Sequence, residues 1–132
     1  MRQFEWIDNI RFYTATLSYA PQSVRIINNL GLEYAQAGML KKSIATYKQG
    51  ISIDKNIPNL YHNIGNSYVS QGKIKEAEQY YLQAITVQPS FIFSYTALIN
   101  LYVQTKQNEK ANIWREKAQR QFPQNLEFIE LQ

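Results

Sequence analysis

The side chains in this chain that could do chemistry are few, and most of them are amides. His62 is the only histidine and there is no cysteine, which excludes disulfides and thiolate metal sites. No glycine-rich phosphate loop, HExxH or GxSxG stretch occurs. Glu76 and Glu78 are two positions apart, so on a helix they do not share a face and cannot act as a carboxylate pair. Catalysis is therefore not expected, no cofactor or metal is called for, and His62 reads as an ordinary polar residue. Asparagine is what recurs. Asn29 and Asn63 lie 34 residues apart, and so do Asn66 and Asn100. A primary amide carries both donor and acceptor, so a row of them can pair with the N–H and C=O of an extended peptide without reading its sequence.

A 34-residue step positions these amides, and it runs through most of the chain. Ile27, Tyr61 and Tyr95 fall in one column, Leu30, Ile64 and Leu98 in a second, and Tyr34, Tyr68 and Tyr102 in a third. Gly31 and Gly65 share a column from which Ile99 departs. Ser43, Ala77 and Ala111 share another, as do Gly50, Ala84 and Ala118. Apolar residues at helical spacing on either side of a glycine make each unit a helix–turn–helix pair. Three such units follow, 24–57, 58–91 and 92–125. The turns carry Gly38, Gly72 and, departing, Lys106; Pro58 suits a first helical position. Small residues belong where helices cross closely, and tyrosines and aliphatics fill the space between.

The ends differ from the middle. Residues 2–23 hold one helix, with Phe4, Trp6, Ile7, Ile10, Tyr13 and Leu17 at helical spacing, and Pro21 stops it. Its residues align with those of a second helix, Trp6 with Leu40 and Tyr13 with Tyr47, so it is half of a repeat. Either it is a natural cap or the chain is cut from a longer protein, and the size of Trp6 and Phe4 favours the cut. In the third unit Asn108, Asn112, Arg115 and Gln119 replace apolar residues, as suits a last helix that packs on little. Residues 126–132, with Leu126, Phe128, Ile129 and Leu131, form a short cap expected to cover Ala111, Trp114 and Ala118.

These columns resemble those of the tetratricopeptide repeat (TPR) family. The resemblance implies an all-α, right-handed superhelix: three helix–turn–helix repeats, an N-terminal half-repeat helix and a short C-terminal cap, in one domain. It also implies that the first helix of each repeat lines a concave groove. In that register the groove residues are Arg25, Asn28, Asn29, Leu32 and Gln36, then Asn59, His62, Asn63, Asn66 and Ser70, then Phe93, Thr96, Ala97, Asn100 and Gln104. Asn29-Leu30-Gly31 and Asn63-Ile64-Gly65 look like the asparagine ladder of the O-linked N-acetylglucosamine transferases. Ala97-Leu98-Ile99 departs, leaving two rungs. The family variant that clamps the chaperone C-terminal carboxylate needs basic residues where this chain has Asn28, Phe93 and Ala97, so chaperone-tail binding is not expected. The opening stretch, Trp6 to Tyr13 and Pro21 to Gly31, is also similar to the TPR tails of bacterial multi-pass membrane proteins related to glycosyltransferases.

Composition fits this reading. Of 132 residues 45% are apolar and 18% charged, enough to bury a core. A net charge of +4 is too small and too dispersed to indicate nucleic acid. No apolar run reaches the roughly 18 residues that span a bilayer, and the first residues lack a signal peptide's apolar region. The expectation is a cytoplasmic scaffold or adaptor that binds a peptide or partner protein in its groove. The alternatives are self-association through the N-terminal helix, and an accessory domain of a membrane-bound enzyme.

Overall fold

A computed structural model describes residues 3–130, with side chains from Glu5 to Phe128; Phe4, Ile129 and Leu131 are thus outside the described side chains. The described residues form eight helices and no strand: α1 (Gln3–Tyr19), α2 (Val24–Gln36), α3 (Leu40–Ile53), α4 (Pro58–Ser70), α5 (Ile74–Val87), α6 (Ile92–Gln104), α7 (Asn108–Gln121) and α8 (Leu126–Glu130). Each helix packs mainly on the next in sequence, and α2 also touches α4. The architecture is the all-α solenoid of three helix pairs, flanked by one helix at each end, that the residue columns predict.

Local chemistry explains the boundaries. Ser23 caps α2, its Oγ accepting from the Ile26 N–H at 3.4 Å. Pro58 stands in the first turn of α4 and is buried. The three turns within pairs share one geometry. Gly38 has φ 77° and Gly72 φ 75°. The next residue's N–H reaches back five positions: Met39 to Tyr34 O at 2.8 Å, Lys73 to Tyr68 O at 2.9 Å. This is the left-handed helix ending that glycine permits without a steric penalty. The third turn keeps it without glycine. Lys106 is held at φ 60°, and the Gln107 N–H meets Tyr102 O at 2.8 Å. A lysine there carries the left-handed penalty, on the order of 1 kcal/mol. Lys106→Gly is expected to raise stability by about 0.5–1 kcal/mol, read as a higher denaturant midpoint at unchanged slope. An unmoved midpoint would show that the turn is unstrained.

Small residues sit at the crossings. Ser43, Ala77 and Ala84 are fully buried, and the Ser43 and Ser67 hydroxyls bond at 2.9 Å inside the stack, tying α3 to α4. The largest apolar cluster joins α5, α6 and α7, and Phe128 of α8 closes it beside Ala111, Trp114, Ala118 and Phe122. Gln119 Nε2 donates to the Phe128 carbonyl at 2.6 Å. A position that is apolar in the earlier repeats thus becomes the tether of the cap. No helix among the described residues is long and apolar enough to cross a membrane.

Candidate functional site

Where α2 passes α4, the two first helices leave a cleft of about 150 Å³ lined by Leu32, Ala35, Gln36, Tyr47, Asn63, Asn66, Ser67 and Ser70. Leu32, Asn63 and Asn66 come from the predicted groove, with Gln36 and Ser70 from the same register. Tyr47, Ala35 and Ser67 lie outside that register. Tyr47 reads in the sequence as core, and its side chain is indeed only 1% exposed.

The Tyr47 hydroxyl sets this cleft apart. One repeat later, Tyr81 donates its hydroxyl to Asn66 Oδ1 at 2.6 Å. The residue that stands to Tyr47 as Asn66 stands to Tyr81 is Leu32, which has no acceptor. The Tyr47 hydroxyl accordingly has no hydrogen-bond partner among the described residues, yet it borders the cleft and is not sealed from solvent. Burial pushes its pKa well above the ordinary tyrosine value, so it remains a neutral donor. A ligand acceptor that bonds this hydroxyl in a water-excluded cleft gains a net hydrogen bond.

The asparagines divide by role. Asn63 Nδ2 donates to Asn28 Oδ1 at 2.9 Å, so this pair bridges α2 and α4 across one wall of the cleft. That bond occupies one N–H of Asn63, whose amide also lines the cleft. Asn29 is half-buried and lines no part of it, and Asn100 is exposed on α6.

The register reads His62 as an ordinary polar residue of the groove. Its ring is half-buried at the junction of α4 with α6, with Nδ1 2.9 Å from the Oγ of fully buried Ser94. The rings of Tyr81, Phe91 and Phe93 surround it at 5.4, 5.5 and 6.4 Å. Burial depresses its pKa to about 4, so it is neutral at physiological pH. Phe93 packs against Phe91 and His62 on one side and is 63% exposed on the other. That side is exposed apolar surface on α6.

Stacked helix pairs with a cleft between first helices define a class: a solenoid whose surface is suited to holding another chain. Residues 58–91 match the model of the tetratricopeptide repeat, and residues 31–71 match a second TPR repeat model. The chain therefore carries tetratricopeptide repeats. Solved structures share the fold. A crystal structure of MamA protein has 21% identity and a TM-score of 0.76 over 92% of this chain and 66% of that one. A second MamA crystal structure has 23% identity and a TM-score of 0.74, covering 86% of this chain and 67% of that one. This chain thus spans about two thirds of the MamA chains. The first TPR of Spaghetti (RPAP3), solved bound to the HSP90 peptide SRMEEVD, has 22% identity and a TM-score of 0.71, covering 83% of this chain and 89% of that one. At these identities the likeness is one of fold. No curated protein sequence matches the chain.

Proposed function

We propose that this chain is a non-enzymatic interaction module, a scaffold or adaptor, that holds an extended peptide of a partner protein against α2, α4 and α6. The observation that carries the reading is the unpartnered Tyr47 hydroxyl at the α2–α4 cleft. A peptide carbonyl is the acceptor it lacks, and the Asn63 and Asn66 amides flank it for the neighbouring backbone groups. Leu32, more than a third exposed, supplies apolar contact beside them, and Phe93 supplies it further along. The RPAP3 domain shows that the fold can hold a peptide. Here Asn28, Phe93 and Ala97 occupy the places of the basic clamp, so the ligand is not one held by its C-terminal carboxylate.

The test begins with 12-residue peptides selected from a display library against the intact chain. Tyr47→Phe should weaken the selected peptides about five- to ten-fold, the worth of one hydrogen bond of about 1–1.4 kcal/mol. The denaturant midpoint should hold or rise, because in the free protein that hydroxyl bonds to no other described residue. If Tyr47→Phe and Leu32→Asp both bind the peptides as the unmodified chain does, the cleft is not the site.

A second reading, self-association through α1, has its own observation. Trp6 is half-buried, whereas Phe12 is 58% and Tyr19 91% exposed on the same helix. Aromatic rings so exposed favour a partner surface. Phe12→Ser should then shift any dimer towards monomer in light scattering over a concentration series. An unmodified chain that stays monomeric at high concentration excludes this reading.

A further inference from the structure

A second cleft, of about 280 Å³, opens between α3 and the α4–α5 turn. Lys41, Ile44, Ala45, Lys48, Tyr68, Gln71 and Lys73 line it. None of them lines the α2–α4 cleft. We propose that it is a separate docking site for an acidic peptide segment of a partner protein.

Three observations converge on that occupant. The first is charge. Three ammonium groups meet at one cleft with no carboxylate in its lining, and none of them takes part in an ion pair among the described residues. Elsewhere, lysines do find partners: Lys110 meets Glu78 at 3.6 Å, and Lys42 lies over the Tyr34 ring. Three uncompensated like charges repel one another, and an anion relieves that repulsion.

The second is an amide. Gln71 Oε1 is buried and has no hydrogen-bond partner. It is an acceptor, so a ligand that satisfies it must bring an N–H or O–H donor. A peptide backbone brings one at every residue, whereas phosphate and phosphodiester oxygens only accept. This favours an acidic peptide over a nucleic-acid backbone or a lipid phosphate.

The third is register. Lys41, Ile44, Ala45 and Lys48 are at i, i+3, i+4 and i+7 on α3, one continuous helical face. Two turns of helix separate the lysines by about 10 Å. A chain in the polyproline II conformation covers that distance in roughly three residues, one full turn, which returns the side chain to the same face. The segment that fits carries two carboxylates three positions apart, with an apolar residue between them over Ile44 and Ala45. Lys73, at the start of α5, closes the far side.

The probes are fluorescein-labelled peptides: Ala-Glu-Leu-Ala-Glu-Ala, its isomer with adjacent glutamates, and its glutamine counterpart. Fluorescence anisotropy at 50 mM salt reads their binding to the intact chain. The spaced acidic peptide should bind, the glutamine peptide should not, and the adjacent isomer should bind several-fold more weakly. Combining Lys41→Gln, Lys48→Gln and Lys73→Gln should reduce affinity ten-fold or more. All three positions are exposed, and circular dichroism checks that the fold survives. Removing equal charge at Arg11, Lys55 and Lys106 should leave binding unchanged, and so should Tyr47→Phe. Equal loss in the charge control would show diffuse attraction and overturn the proposal. Insensitivity to glutamate spacing, or no binding of the spaced peptide at millimolar concentration, would also overturn it. So would tighter binding of poly-U or of phosphatidylserine vesicles to the same three lysines. Loss with Tyr47→Phe would move the peptide to the α2–α4 cleft, a result that leaves the groove reading intact while removing this one.

Discussion

Gly65→Val is expected to lower the free energy of unfolding by about 3 kcal/mol, at the upper end of the usual range for overpacking a core. A Cβ at this position would lie 2.6 and 2.7 Å from two atoms of the Tyr81 ring. Carbon atoms rest about 3.5–4 Å apart, so either the ring or the α4 backbone must move. The ring is held in place by its hydroxyl, which is tied to Asn66. Gly31 makes an equivalent and closer approach to Tyr47, but the Tyr47 hydroxyl is untied and its ring borders the cleft, towards which it can give. Gly31→Val should therefore cost less than Gly65→Val despite the closer approach. Gly50→Ala should cost least, because its nearest neighbours are the terminal methyls of Leu60 at 3.0 and 3.2 Å, and alanine favours helix by up to about 1 kcal/mol over glycine. Denaturant midpoints for the three variants give the order. Combining Gly65→Val with Tyr81→Ala should cost less than the sum of the two, with a coupling on the order of 0.5–3 kcal/mol. An unchanged midpoint for Gly65→Val, or strict additivity with Tyr81→Ala, would mean that this contact does not set the crossing.

The crossing is legible in the sequence because it depends on a column. A glycine that recurs 34 residues later, among apolar residues at helical spacing, marks a close approach of two helices, and the fold follows from several such columns together. The candidate site is less legible because it depends on where columns break. Tyr47 and Tyr81 look equivalent when each is read as core. Only the pairing of two columns, Leu32 with Tyr47 against Asn66 with Tyr81, shows that one hydroxyl is satisfied and the other is not. That signal is present in the residues, but it requires knowing that a second-helix tyrosine reaches a first-helix side chain of its own repeat. The Asn63–Asn28 bond joins two different columns of adjacent repeats. A register that assigns every first-helix amide to the groove does not reveal which amides turn to one another. The column of His62 says nothing of its surroundings, which come from aromatic residues of α5, of α6 and of the position just before α6, brought together only by the stacking. The Lys106 turn is the opposite case: the glycine is lost, yet its neighbours impose the backbone geometry on a lysine.

His62 makes the stability of this chain depend on pH, in a direction fixed by its surroundings. Desolvation among the Tyr81, Phe91 and Phe93 rings lowers its pKa to about 4, whereas in the unfolded chain it returns to about 6.5. Below pH 6.5 the unfolded chain takes up a proton that the folded chain refuses until about pH 4. The contribution of the neutral ring is therefore fully present above pH 6.5 and is lost as pH falls from 6.5 to 4. Each pH unit between the folded and unfolded pKa values is worth about 1.4 kcal/mol, so the loss approaches about 3 kcal/mol. His62→Gln keeps a polar partner for Ser94 and removes the titration, so its unfolding free energy should stay nearly flat across that window while the unmodified chain declines. Carboxylates titrate mostly at the bottom of the window and affect both proteins alike, so the difference between the two curves isolates the histidine. Parallel curves would mean that the ring is hydrated in solution and that the α4–α6 junction is looser than its geometry indicates. A decline confined to the unmodified chain has a consequence for binding. The proton enters where Phe93 leans on His62, so as pH nears 4 the surroundings of Phe93 should loosen before the α2–α4 cleft, and peptides that reach Phe93 should be released first.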